Sequence, residues 1–262
     1  MTASDCLWNT PPITLILSSD NIHIWCANLD LSIHEIEIFF QTLSADEKIR
    51  AQRFHFEEHR QFFIASRGIL RAILSRYSDI DPHQIQFNYG SRGKPEIAES
   101  CGVKKLKFNL SHSGKVALYA ITNGREIGID IEKIHPIADA EQIAKRFFSA
   151  KEFEWLSQLS PSEKLAAFFD LWTCKEAYLK AIGEGLAFGL DQFEILFSAS
   201  KTPKILTIQG NLQAAKPWYL QQLTPVLGYV GAVAVKADNP SFNYWQWWGN
   251  YCEDDKERCN LE

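Results

Sequence analysis

The chain has 262 residues, 46% of them hydrophobic and 23% charged, and a formal net charge of −5. That length can bury a substantial core, as one large domain or two smaller ones. The charge excludes the global basic field by which nucleic-acid binders gather phosphate, so any anionic ligand must be held by a local cluster.

The start, "MTASDCLWNTPP", lacks a basic segment followed by an apolar one, and no run approaches membrane-spanning length. Neither secretion nor a membrane partner is expected. "NIHIWCANL" (21–29) alternates like a strand, and "LSIHEIEIFFQTL" reads as a helix. Ser44, with Glu47 three residues on, forms a capping box that opens the next helical region. That region runs through "RAQRFHFEEHRQFFIASRGILRAILSRY", with a break expected at 55–58. "QIQFNYG" (84–90), "LKFNLSHS" (106–113), "KVALYAIT" (115–122) and "REIGIDIEKI" (125–134) read as strands punctuated by glycine and proline.

The same rhythm then returns. "ADAEQIAKRFF" reads as a helix, "SAKEFEWLSQL" opens like "SADEKIRAQRF", and a long helix covers 161–182. The strands "FEILF", "KILTIQG", "WYLQQL" and "YVGAVAVKA" follow. The order predicts an α+β protein of two similar, pseudo-twofold-related subdomains, each a small, mainly antiparallel sheet packed with helices. The expected division is 1–125, 126–240 and a tail, 241–262, whose "YWQWW" is suited to cap an apolar surface. Six cysteines, at 6, 26, 101, 174, 252 and 259, form no C-x-x-C pair and are expected to be the reduced thiols of a cytoplasmic protein.

Three features carry chemistry. On a helical wheel Leu165, Phe169, Trp172, Glu176 and Lys180 share one face, so two charges extend an apolar stripe. They are either an i, i+4 pair at a solvated helix end or groups held for a purpose, because a buried carboxylate is costly unless paired or bound to metal. In "GIDIE", Asp130 and Glu132 project from one face of a strand and Ile129 and Ile131 from the other. Like charges roughly 7 Å apart repel, so this is either a solvent-facing edge or, with Glu176, a site for a hard cation. In "FNLSHS", His112 sits between serines at a strand end. With Lys94 in "SRGKPEI" and with Arg50, Arg53 and Arg67 upstream, it is a candidate for holding phosphate oxygens. Taken singly, each arginine is better explained as part of a solvated helix face.

"SRGKP", "FNLSHSG", "GIDIE", "AKRFFSAKEF" and "LWTCKEAYLKAIGEGL" occur together and in order. In this the chain resembles the surfactin-type 4′-phosphopantetheinyl transferases, over residues 91–186 and, through "LSADEKIRAQRF", further toward the N-terminus. The resemblance implies an enzyme that binds coenzyme A with magnesium in a cleft between two subdomains. It would transfer the phosphopantetheine arm to a serine of an apo acyl or peptidyl carrier protein and release adenosine 3′,5′-bisphosphate. Asp130, Glu132 and Glu176 match the family's metal site. Lys180 matches the lysine on the pyrophosphate, and Glu176 is the candidate general base. His112 and Arg50 match residues near the 3′-phosphate, Lys94 and Ser111 line the nucleotide side, and Arg67 is an addition to that set. Lys175 matches the motif, but its wheel position points elsewhere. The protein is expected to act as a monomer in the cytoplasm. The segment "EKIHPIADAEQIAKRFF" (132–148), with Ile137, Lys145 and Arg146, is the expected carrier-docking surface. The alternatives are an acyltransferase using coenzyme A thioesters and a non-catalytic module that binds coenzyme A or carrier.

Overall fold

The computed structural model describes residues 8–197 and 202–248. Strand β1 (Asn21–Asn28) opens the fold and is buried on both faces: Ile22, Ile24 and Cys26 on one, Trp25 and Ala27 on the other. Helices α1 (Ile33–Thr42), α2 (Ala45–Gln52) and α3 (Glu57–Ser78) follow. The helical region breaks at 53–56, between α2 and α3, so the expected break at 55–58 is met in its first half while Glu57 and Glu58 already open α3. Strands β2 (Phe87–Tyr89) and β3 (Pro95–Ile97) form a short ribbon, and β4 (Leu106–Ser113) and β5 (Val116–Asn123) a hairpin.

The second half repeats the plan. It comprises β6 (Ile127–Lys133), α4 (Ala140–Phe147), α5 (Ala150–Gln158), α6 (Pro161–Ile182), β7 (Phe193–Phe197), β8 (Pro203–Ile208), a short α7 (Leu212–Ala215), β9 (Trp218–Leu223) and β10 (Tyr229–Lys236). The tail does not stand apart. Its strand β11 (Ser241–Trp247) pairs parallel with β1, so "YWQWW" lies at the edge of the first sheet, with Trp247 buried against the first half's core. Residues 249–262 lie outside the described region.

The main sheets run β11-β1-β5-β4 and β6-β10-β9, antiparallel apart from β11 and β1. They face each other across a shared core of Ile22, Ile24, Leu118 and Ala120 from one and Ile127, Ile129, Ile131, Val233 and Val235 from the other. Helices α1 and α3 cover the outer face of the first sheet, and α4, α5 and α6 cover that of the second. The four layers explain "IGIDIE". Its isoleucines enter the core between the sheets, and Gly128, Asp130 and Glu132 are left facing α6.

One device recurs in both halves. Ser44 caps α2, and its capping-box partner Glu47 pairs with Arg71 of α3 at 2.7 Å. Arg71 also donates to the carbonyls of Pro82 and Ile85, each at 2.8 Å. Ser149 and Glu152 cap α5 in the same way, and Glu152 pairs with Lys175 of α6 at 2.9 Å. Lys175 donates to the carbonyls of Leu190 (2.7 Å) and Phe193 (2.8 Å). In each half the buried pair joins a short helix, a 22-residue helix and the segment after it. Among the described residues no helix is long and apolar enough to cross a membrane.

Candidate active site

The closeness of β6 to α6 comes first. A Cβ on Gly128 would lie 2.1 Å from the Ala177 carbonyl and 2.3 Å from the Ala181 nitrogen, so only glycine lets the strand lie against the helix backbone. That contact brings Lys180 Nζ to 2.6 Å from Asp130 Oδ1 and 2.8 Å from Ser111 Oγ. Ser111 in turn donates to Asp130 Oδ1 at 2.9 Å. Asp130 is 3% exposed, and its other oxygen, Oδ2, is buried without a partner.

Strand β4 supplies a polar ladder along the edge of β6. Asn109 Oδ1 accepts from the Ile129 N–H at 2.8 Å, Ser111 reaches Asp130, and Ser113 donates to Glu132 at 2.9 Å. Ser111 was expected on the nucleotide side, but the period of two in "FNLSHS" turns it to the carboxylates with Asn109 and Ser113. His112 and Leu110 face the other way, into a cleft whose wall Asn109 also reaches. Asn109 and Ser113 were missed in the sequence, although their alternation with His112 was the signal.

The three carboxylates influence one another. Burial raises the Asp130 pKa, while Lys180 and Ser111 oppose it. Glu132 is raised by burial and then by Asp130. Glu176 is raised to about 7, by burial first and then by the Asp130 charge, against the pull of Lys180. Among the described residues no three His, Cys, Asp or Glu side chains converge as a ready metal cage. Magnesium asks for less: one or two carboxylates, with water and substrate phosphate filling the remaining positions. The unpartnered Asp130 Oδ2 and the mutual repulsion of the three acids fit that demand.

The cleft, about 290 Å³, is lined by Arg50, Phe63, Arg67, Arg92, Lys94, His112 and Lys180, with Gly183 and Gly185 at its rim. The Arg50 guanidinium lies over the Phe63 ring at 5.3 Å. Arg67 is 7% exposed and lies within 5.9 Å of the Phe63, Phe87 and Tyr89 rings. Its nearest acid, Glu47, is 3.9 Å away and already paired with Arg71, and Arg67 Nη1 is buried without a partner. His112 is exposed to the cleft, yet the protein packed around its ring disfavours the charged form, and the Lys180 and Arg67 charges lower its pKa further. Arg92, also missed in the sequence, comes from the turn before Lys94. The Lys94 ammonium lines the cleft but is engaged by the carbonyls of Ile127 (3.0 Å) and Ala181 (2.8 Å). Lys175 stays out of the cleft altogether, fully buried in the pair described above. Within the expected docking surface, Lys145 and Arg146 are exposed, Phe147 is 40% exposed, and Ile137 packs partly into the second half's core.

A basic cleft that shares Lys180 with a cluster of carboxylates suits a ligand that carries phosphate. Comparison with known proteins names the class. Residues 126–234 match the family described as the 4′-phosphopantetheinyl transferase superfamily, and residues 30–123 match 4′-phosphopantetheinyl transferase, N-terminal. The 4′-phosphopantetheinyl transferase HetI of Nostoc sp. is 43% identical over 240 residues, which is 92% of this chain and 98% of that protein. The 4′-phosphopantetheinyl transferase Sfp of Bacillus subtilis is 34% identical over 165 residues, 63% of this chain and 71% of that one. Among solved structures, the holo-[acyl-carrier-protein] synthase of Thermotoga maritima overlaps 43% of this chain and 63% of its own, at 18% identity and a TM-score of 0.36. The chain belongs to the 4′-phosphopantetheinyl transferase family and is an enzyme of that class.

Proposed function

We infer that the enzyme transfers the phosphopantetheine arm of coenzyme A to a serine hydroxyl of an apo acyl or peptidyl carrier protein, depends on magnesium and releases adenosine 3′,5′-bisphosphate. The observation that carries this reading is Lys180, which lines the basic cleft and also holds Asp130 at 2.6 Å. A phosphate-bearing ligand lying along the cleft would bring its pyrophosphate to this lysine and to the acids behind it.

In this reading residues 1–125 carry the nucleotide end and residues 126–240 the cluster of carboxylates. Arg50 and His112 bind the 3′-phosphate, and Arg67 uses its unpartnered Nη1 on the same ligand. Lys94 and Ser111 position the groups around them. Asp130, Glu132 and Glu176 are the residues that would hold magnesium. Bound there, magnesium would offset the charge of the pyrophosphate oxygens. Lys180 would keep its charge and turn its N–H donors from Asp130 and Ser111 toward the leaving-group oxygens as their charge grows. Glu176, whose pKa burial and the Asp130 charge raise to about 7 in the metal-free protein, is also the candidate to accept the serine proton. The carrier would approach over the exposed Lys145, Arg146 and Phe147 of α4. The enzyme would work as a monomer in the cytoplasm, with neither nucleic acid nor membrane as partner.

The test is incubation with coenzyme A, magnesium and an apo carrier protein, followed by mass spectrometry of the carrier. A gain of one phosphopantetheine on the wild-type carrier, absent when its serine is alanine or when chelator is in excess, is the expected result. No gain with any apo carrier rejects the reading. Full activity in excess chelator rejects the magnesium site.

A further inference from the structure

Lys94 is placed where a phosphate ligand is expected, yet two of its three protons are already taken. Its Nζ donates to the Ile127 carbonyl at 3.0 Å and to the Ala181 carbonyl at 2.8 Å. Ile127 is the first residue of β6, and Ala181 lies in the last turn of α6. The Ala181 carbonyl belongs to the set that a helix cannot satisfy internally, and a cation there also meets the negative end of the helix dipole. The helix stops at once: Gly183 takes a left-handed φ of 75°, and its N–H donates to the Leu179 carbonyl. Lys94 itself closes a tight turn, its carbonyl accepting from the Gly90 N–H at 2.9 Å. Arg92 and Gly93 of that turn line the nucleotide cleft. The stem of Lys94 forms part of the wall between this cleft and a second cavity, of about 550 Å³, on its far side.

Three parts of the protein therefore meet on one ammonium: the cleft turn of the first half, the start of β6 and the end of α6. The second and third carry the chemistry. Asp130 lies three residues beyond Ile127, and Lys180 is the residue before Ala181. The same stretch includes Gly128, where strand and helix backbones touch. Gly128 permits the approach but does not direct it, since two backbones in contact can still slide along each other. Lys94 pins that sliding coordinate from outside. Burial disfavours its charge, so the ammonium is held by the carbonyls it serves.

We propose that Lys94 is a positioning residue, a clasp across the two halves that sets the register of α6 on β6 and thereby the meeting of Lys180 with Asp130. This rests on the transferase reading given above and assigns Lys94 a role apart from binding the 3′-phosphate. A phosphate ligand and a clasp differ in what their loss does. Losing a ligand weakens coenzyme A binding and the preference for the 3′-phosphate. Losing a clasp leaves binding and slows the step at Lys180.

The experiment compares wild type with Lys94→Met and Lys94→Arg. Steady-state transfer is measured with coenzyme A and with 3′-dephospho-coenzyme A, and binding of each by calorimetry. In Lys94→Met we expect kcat to fall roughly 10- to 100-fold, as a misplaced group of this kind does. The KM for coenzyme A and its preference over the dephospho form should stay near wild type. Lys94→Arg keeps donors in reach and should recover part of kcat. Loss of the preference, with kcat unchanged, would make Lys94 a phosphate ligand and overturn the proposal. A lower melting temperature with unchanged kcat and KM would make it a mere strut. If Lys94→Met does not fold, Lys94→Gln, which keeps one donor, is judged by the same outcomes. Amide exchange provides a readout independent of turnover. The last turn of α6 and the first residues of β6 should exchange faster in Lys94→Met. Unchanged exchange there overturns the clasp even if the wild type transfers nothing, an outcome that would separately reject the transferase reading.

Discussion

Lys175 and Lys180 lie five residues apart on one helix and have opposite surroundings, which makes Lys175→Met a sharp test of the structure. Lys175 is fully buried, and its ammonium pairs with Glu152 at 2.9 Å, donates to two carbonyls and lies 4.3 Å from the centre of the Phe193 ring. Methionine fills most of the volume, so little of the loss comes from a cavity. What goes is the charge that offsets Glu152, a carboxylate only 3% exposed. Breaking such a pair from one side typically costs about 3–5 kcal/mol. Glu152 keeps the N–H groups of Ile195 (2.7 Å) and Ser149 (2.8 Å), which argues for the lower part of that range, while the stranded Leu190 and Phe193 carbonyls argue for the upper. A value of about 4 kcal/mol results, a large share of the roughly 5–15 kcal/mol by which folded proteins are stable. Urea unfolding followed by tryptophan fluorescence should show the midpoint falling sharply. Molecules still folded should transfer phosphopantetheine at a near-normal rate. Adding Glu152→Gln removes the stranded charge while leaving an oxygen for Ile195, and should restore about half of the loss. Arg71→Met, the counterpart in the first half, should behave like Lys175→Met. An unchanged urea midpoint with transfer abolished would refute the argument, because it would put Lys175 in the chemistry rather than the core.

Three further outcomes are expected. Burial of His23 lowers its pKa from 6.5 to about 4, so the unfolded chain binds a proton that the fold refuses. Stability should therefore be flat above about pH 6.5 and fall by up to roughly 3 kcal/mol as pH drops toward 4, a slope that His23→Leu should remove from urea midpoints measured across that range. Glu176→Gln replaces a carboxyl whose ionised form the fold disfavours, so at pH 8 its melting temperature should equal or exceed that of wild type while transfer falls about 100-fold or more; a lower melting temperature with normal transfer would contradict both halves of that statement. Arg50→Ala and His112→Ala should each weaken coenzyme A binding by about 1.5–3 kcal/mol and reduce its advantage over 3′-dephospho-coenzyme A, and calorimetry showing an intact advantage would move the 3′-phosphate elsewhere.

Local order in the chain already states a good deal. Ser44 with Glu47 and Ser149 followed by Glu152 mark two helix starts, because a capping box needs only neighbours in sequence. The alternation in "IGIDIE" puts Asp130 and Glu132 on one face, because a strand has a period of two whatever surrounds it. What that face meets is a different matter. Asp130 meets Lys180, 50 residues on, and Ser111, 19 residues back, and no local pattern encodes either contact. The same holds for the two lysines of α6. The wheel puts Lys180 beside Glu176 and turns Lys175 elsewhere, but a helix buried nearly all round has no polar face to say which direction is core and which is cleft. The neighbours decided between them: Glu152 and two carbonyls closed around one, and the open cleft received the other. The tail shows the limit most plainly. Its aromatic run could be read as a cover for apolar surface, but its pairing with β1, 220 residues away between Asn21 and Ser241, depends on a sheet edge that exists only once the first half has folded.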